Sequence, residues 1–82
     1  MAFRKYRGSA KSPISEYEVG QNFIRVRFGK AKGKWKPGKT YQWTEYGVGK
    51  ENVDQMKKLA EQGTGLRHFI DGTVAGQVSR IY

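Results

Sequence analysis

The chain has 82 residues, no cysteine and a formal net charge of +9. That length makes one domain, whose folding buries only about 60 to 65% of the unfolded chain's surface, so every core aromatic matters. Without cysteine there is no disulfide framework, thiolate metal site or cysteine nucleophile, and no apolar run approaches the roughly 18 residues of a membrane span. With no apolar signal segment after Met1 to Arg7, the chain is expected to be cytoplasmic and to engage no membrane.

The charge is unevenly placed. Residues 1 to 39 hold 11 of the 16 Lys/Arg and 2 of the 7 acids, while residues 40 to 82 balance. Charge confined to one half reads as a field aimed at a polyanion, with nucleic acid ahead of an acidic protein surface.

In chain order, residues 1 to 12 are polar, basic and without period, and are expected to form a flexible basic arm before a single domain over 13 to 82. Its Phe3, Arg4, Lys5, Tyr6 and Arg7 interleave aromatic and basic groups, which suits contact with a groove or single strand. Ile14 to Val19 alternates with one irregularity, Gly20 to Asn22 turns, and Phe23 to Phe28 alternates strictly, so two antiparallel strands are expected. Ile24, Val26 and Phe28 would face the core, leaving Arg25 and Arg27 on the other face as a possible track for nucleic acid.

Gly29 to Lys39, GKAKGKWKPGK, is long for a hairpin loop. Residues 33 to 40, GKWKPGKT, satisfy the phosphate-loop pattern, but that motif needs a helix after its Lys-Thr. Tyr41, Gln42, Trp43 and Thr44 instead read as a strand, expected to run from Lys39 to Tyr46. The loop is better read as a comb of Lys30, Lys32, Lys34, Lys36 and Lys39 around Trp35. That indole either folds back onto the sheet edge or is presented to a base, a stack worth roughly 1 to 3 kcal/mol. Five phosphate contacts would give a log-log salt slope of about −4.5 on duplex DNA and about −3.5 on a single strand. Lysines on glycine-rich backbone carry little sequence discrimination.

From Lys50 to Gln62, Val53, Met56, Leu59 and Ala60 share a helical stripe, with Gly63 after its end. Leu66, Phe69 and Ile70 mark one further helical turn, and Val74 to Tyr82 is expected to close the sheet as a strand. The order gives an α+β domain: a small curved antiparallel sheet of three to four strands packed against one α-helix and a short helical turn.

On these residues the chain resembles the KTSC family, small domains found alone or appended to lysyl-tRNA synthetases. Carrying the resemblance are Ser12 to Ser15, the strand Ile24 to Phe28, Tyr41 to Trp43 running into Tyr46 to Val48, the helix from Val53 to Ala60, and Ser79 to Ile81. The likeness spans residues 12 to 82 through mostly apolar pattern. The basic 29 to 39 loop is longer than the family's turn, Gly49-Lys50 stands where a proline often begins the helix, and 65 to 69 differs by an insertion. The resemblance implies the fold and, through the synthetase context, association with RNA; it carries over no catalytic residue.

Enzymatic readings find little support. His68 is the one histidine, three residues before Asp71, and the serines show no motif linking them to it. The expectation is a non-catalytic module without metal, cofactor or small-molecule substrate, binding single-stranded or structured RNA in preference to DNA with low sequence specificity. Its residues would be Lys30, Lys32, Lys34, Trp35, Lys36 and Lys39, with Arg25, Arg27, Arg4, Lys5 and Arg7. The rival is a bacterial or phage accessory module whose basic loop docks on an acidic protein.

Overall fold

The computed structural model describes residues 3–31, 33 and 35–82. A five-stranded antiparallel sheet runs in sequence order, β1 (Arg4–Lys5), β2 (Ile14–Val19), β3 (Phe23–Phe28), β4 (Thr40–Thr44) and β5 (Arg80–Ile81). Between β4 and β5 come α1 (Glu45–Val48), α2 (Lys50–Gln62) and α3 (Leu66–Phe69), followed by a π-helical turn at Ile70–Val74 and a 3-10 turn at Ala75–Gln77.

Alternation explains the central strands. Ile24, Val26 and Phe28 of β3 are buried, as are Tyr41 and Trp43 of β4, with the intervening side chains on the outer face. In β2 the period slips once. Ile14 pairs with Phe28 and Glu16 with Arg27, leaving Ser15 as the extra residue of a bulge, so Ile14 and Tyr17 both reach the core. The inner face is covered by Val53, Met56 and Ala60 of α2 and by Leu66, Ile70 and Val74. Gly63 ends α2 in the left-handed region at φ 78°, with its N–H donating to the Leu59 carbonyl.

Three elements differ from the sequence expectation. Arg4–Lys5 pairs as an edge strand with Tyr17 and Glu16, and Tyr6 is buried in the core, so the expected arm is tied into the domain. A single aromatic at Tyr6 supplies that anchor without producing any period. β4 stops at Thr44, whose hydroxyl accepts the Gly47 N–H at 3.1 Å and starts α1 instead of prolonging the strand. The closing strand shrinks to Arg80–Ile81 because Ile70 and Val74, four apart, are buried on one helical face.

Both tryptophans tie the sheet to that helical segment. Trp43 Nε1–H donates to the Val74 carbonyl at 2.9 Å, and Trp35 Nε1–H donates to Asp71 Oδ1 at 2.7 Å. A buried indole N–H needs such a partner. The two bonds fix the 70–74 turn against the hairpin of β3 and β4.

Candidate nucleic-acid interface

The phosphate-loop reading of residues 33 to 40 fails on geometry. The Lys39 N–H donates to the Lys36 carbonyl across Pro37-Gly38, with Gly38 at φ 80°, which is a type II turn. Thr40 then opens β4 in place of a helix.

Of the two fates expected for Trp35 the structure shows the fold-back, which removes it from the expected nucleic-acid contacts. It is 2% exposed, stacked on Phe28 with ring centroids 5.1 Å apart, and edge-on to Tyr41 and Trp43. The loop folds back because its one large apolar group completes an aromatic cluster at the end of the sheet. Its faces are therefore taken, and stacking on a base is lost to it. The Tyr41 hydroxyl accepts the Lys36 N–H at 3.0 Å, which holds the returning loop on β4. Among the described residues the most exposed aromatic is Tyr46, at 97%, at the opposite end of the strands from the basic loop.

Arg25 and Arg27 do share the outer face, beside Gln42 and Thr40 as expected, but their charge is spent there. Arg25 reaches Glu18 Oε1 at 2.9 Å, Gln42 Oε1 at 2.7 Å and the Tyr82 hydroxyl at 3.2 Å, and lies over the Phe23 and Tyr82 rings. Arg27 meets Glu16 Oε1 at 2.7 Å and Thr40 Oγ1 at 3.2 Å, with Phe3 3.9 Å beneath it. Burial works against the Arg25 cation, but bonds to Glu18 and Tyr82 outweigh it and hold its pKa above the usual value. Cross-strand register places opposite charges side by side, which stabilises the sheet and leaves its face close to neutral. The nucleic-acid track expected for this pair is thereby weakened.

The remaining cations converge elsewhere. Antiparallel register brings the end of β1, the start of β2, the end of β3 and the start of β4 to one end of the sheet. There the Gly29 and Lys30 N–H groups donate to the Pro13 carbonyl, and the Tyr6 N–H to the Ser15 carbonyl. Arg7, Lys11, Lys30, Lys36 and Lys39 are thus carried to one end, all exposed and without an ion pair among the described residues. Asp71, which reaches the same end, is occupied by Trp35 and by Arg67 Nε at 3.1 Å. Arg4 and Lys5 are exposed on the β1 edge, with Lys5 opposite Glu16. Lys32 and Lys34 lie outside the described residues. Lys11 was not among the expected contacts; it enters through a 3-10 turn, Ser9–Lys11, that only the burial of Tyr6 positions.

Two hollows flank this end. One, of about 450 Å³, has an apolar floor of Trp35, Tyr41, Ala75, Val78 and Ile81 and is rimmed by Lys36 and Lys39. Ile81 is 58% exposed. The other, of about 400 Å³, opens between the Ser9–Lys11 turn and the loop after α2, and Arg7, Lys11, Arg67 and His68 line it. Among the described residues no three His, Asp or Glu gather as a metal site, and no helix is long and apolar enough to cross a membrane. Comparison with family models, curated proteins and solved structures found no match to the chain.

Proposed function

We propose that the protein is a nucleic-acid-binding module that grips phosphates through the cationic end of its sheet. The observation that carries this reading is the convergence of Arg7, Lys11, Lys30, Lys36 and Lys39, none ion-paired among the described residues, while Arg25 and Arg27 are neutralised by Glu18 and Glu16. Exposed lysines on a turn position a phosphate backbone and read no base edge, so binding is of low sequence specificity. Single-stranded or structured RNA is the favoured form, in keeping with the KTSC resemblance. Trp35 contributes by shaping the loop, with its ring stacked on Phe28 and none of it offered to a base.

The apolar hollow beside Lys36 and Lys39 favours a second reading, in which an acidic protein segment places an apolar side chain against Val78 and Ile81. Fluorescence anisotropy with labelled single-stranded RNA, single-stranded DNA and duplex DNA at two salt concentrations separates the two. Micromolar or tighter binding with a log-log salt slope near about −3 on single strands supports the first reading. Absence of binding at low salt overturns it and turns attention to the hollow.

A further inference from the structure

We propose that the cleft between the Ser9–Lys11 turn and the loop after α2 is a phosphate-binding site, with Arg7 and Lys11 as its cations and the hydroxyls of Ser12 and Thr64 as neutral donors. Its lining is Tyr6 to Gly8, Ala10 to Pro13, Gly63 to Gly65, Arg67 and His68, and includes no carboxylate. At about 400 Å³ it lies within the range of small-ligand sites. Glu61, two residues before Gly63, is exposed and does not line it.

The walls are held together by an unusually close backbone approach. A Cβ on Gly8 would lie 2.3 Å from the Gly63 carbonyl oxygen, and one on Gly63 would lie 2.5 Å from the Arg7 Cβ. A glycine at each of these two positions permits that approach, which sets the Arg7-Gly8 backbone against Gly63, the residue before Thr64. Tyr6 lines the cleft from the core side. Ser12 Oγ accepts the Ile14 N–H at 3.2 Å, which orients the hydroxyl and leaves its own hydrogen to donate. Arg67 is turned to Asp71, so Arg7 and Lys11 carry the positive charge that is not already matched. Two cations and two hydroxyls around a hollow suit the several acceptor oxygens of a phosphate group better than a carboxylate with its two.

The phosphate can come from a strand end or from a free phosphate ester. This proposal takes its nucleic-acid ligand from the function proposed above, but its phosphate chemistry stands apart from it. Amide NMR spectra of the intact protein are titrated with inorganic phosphate against sodium chloride of equal ionic strength. The same spectra are then followed with a short RNA carrying either a 5′-phosphate or a 5′-hydroxyl. With inorganic phosphate, saturable shifts at Gly8, Gly63, Thr64 and Gly65, weakened about tenfold in the Arg7→Gln/Lys11→Gln variant and unchanged in Lys58→Gln, are the expected result. Tighter binding of the 5′-phosphorylated RNA, lost in the Arg7→Gln/Lys11→Gln variant, assigns the cleft to a strand end. Equal binding of the two RNAs alongside the phosphate response supports the cleft and assigns it to a free ester. No saturable response at these amides, or one undiminished by Arg7→Gln/Lys11→Gln in a variant whose spectrum is otherwise native, overturns the proposal. Failure of the 5′-hydroxyl RNA to bind at low salt overturns the nucleic-acid reading and leaves a phosphate-responsive cleft standing.

Discussion

Trp35 and Asp71, 36 residues apart, are joined by an indole N–H to carboxylate bond of 2.7 Å, and the same carboxylate holds Arg67. The basic loop is therefore anchored by its one aromatic to the helical segment on the far side of the sequence. Trp35→Ala removes a stacked core aromatic at a cost of about 3 to 5 kcal/mol, against a total stability of about 4 to 12 kcal/mol for a chain this size. Its expected phenotype is a large fall in the chemical-denaturation midpoint. Trp35→Phe keeps an aromatic ring but loses the donor and part of the indole's volume; it costs less, about 1 to 3 kcal/mol, and at a temperature where it is folded it binds nucleic acid like the parent. A clear loss of affinity in folded Trp35→Phe would restore a direct contact for the indole.

The pair on the sheet face is asymmetric in burial, with side-chain exposures of 31% for Arg25 and 7% for Glu18. Removing Arg25 strands a nearly buried carboxylate, whereas removing the Glu18 charge leaves a guanidinium that can turn to water. Arg25→Met is therefore expected to destabilise by about 1 to 2 kcal/mol and Glu18→Gln by less, after allowance for the exposure of the arginine. Urea titration of the two single variants and the double variant checks the order, and an equal cost for both singles would contradict it.

Binding and stability should separate by residue. Lys36→Gln/Lys39→Gln lowers the magnitude of the single-strand salt slope by about 1.4, since each lost phosphate contact removes about 0.7. Lys58→Gln, on the exposed side of α2, leaves the slope unchanged. Anisotropy across a salt series measures both, and a slope equally sensitive to Lys58 would show that net charge alone drives association.

Glycines with similar torsions should respond differently to alanine. Gly38 at φ 80° has open space where a Cβ would stand, while Gly63 at φ 78° faces the Arg7 Cβ at 2.5 Å. Gly38→Ala costs about 1 kcal/mol for the left-handed backbone alone. Gly63→Ala adds a steric clash, for a total of about 2 to 4 kcal/mol, and moves the β1 segment off α2. Thermal unfolding of the two variants side by side checks the difference.

Burial raises the Tyr6 phenol above its ordinary value, a shift partly offset by its bond to the Leu66 backbone. A folded-state pKa above the unfolded one means that the native state holds the proton more tightly. The contribution is fully present below the unfolded value near 10 and is lost as pH rises through the folded one. Urea midpoints measured from neutral pH to above pH 10 should fall more steeply for the parent than for Tyr6→Phe. Parallel curves would remove Tyr6 from the alkaline transition.

Much of the fold is legible where one residue type repeats at one period. β2 and β3 lie where alternation places them, the single irregularity in β2 is the bulge at Ser15, and Val53, Met56 and Ala60 are the buried stripe of α2. β1 is not legible, because a two-residue strand with both side chains exposed has no period, and its anchor is one aromatic at Tyr6. The turn after α3 hides because Gly72 and Gly76 break a helical pattern that Ile70 and Val74 nevertheless complete. Of the candidate site, the lysines of the loop are visible as composition. The neutralisation of Arg25 and Arg27 was within reach, since Glu16 and Glu18 alternate on the neighbouring strand in matching register. Fold-back of Trp35 was one of its two expected fates; what sequence does not show is the partner of its indole N–H, an aspartate 36 residues away.

Strand order follows chain order throughout the sheet, yet its junctions close loops of very different length. β2 to β3 and β3 to β4 are hairpins that can zip locally within microseconds, whereas pairing β5 with β4 closes a loop that spans all the helical segments between Glu45 and Gln77 and costs more chain entropy. The indole bonds from Trp35 to Asp71 and from Trp43 to Val74 are therefore late events in assembly. Substitutions there should accelerate unfolding and leave the refolding rate nearly untouched, so the aromatic cluster governs how long the native state survives more than how quickly it is reached.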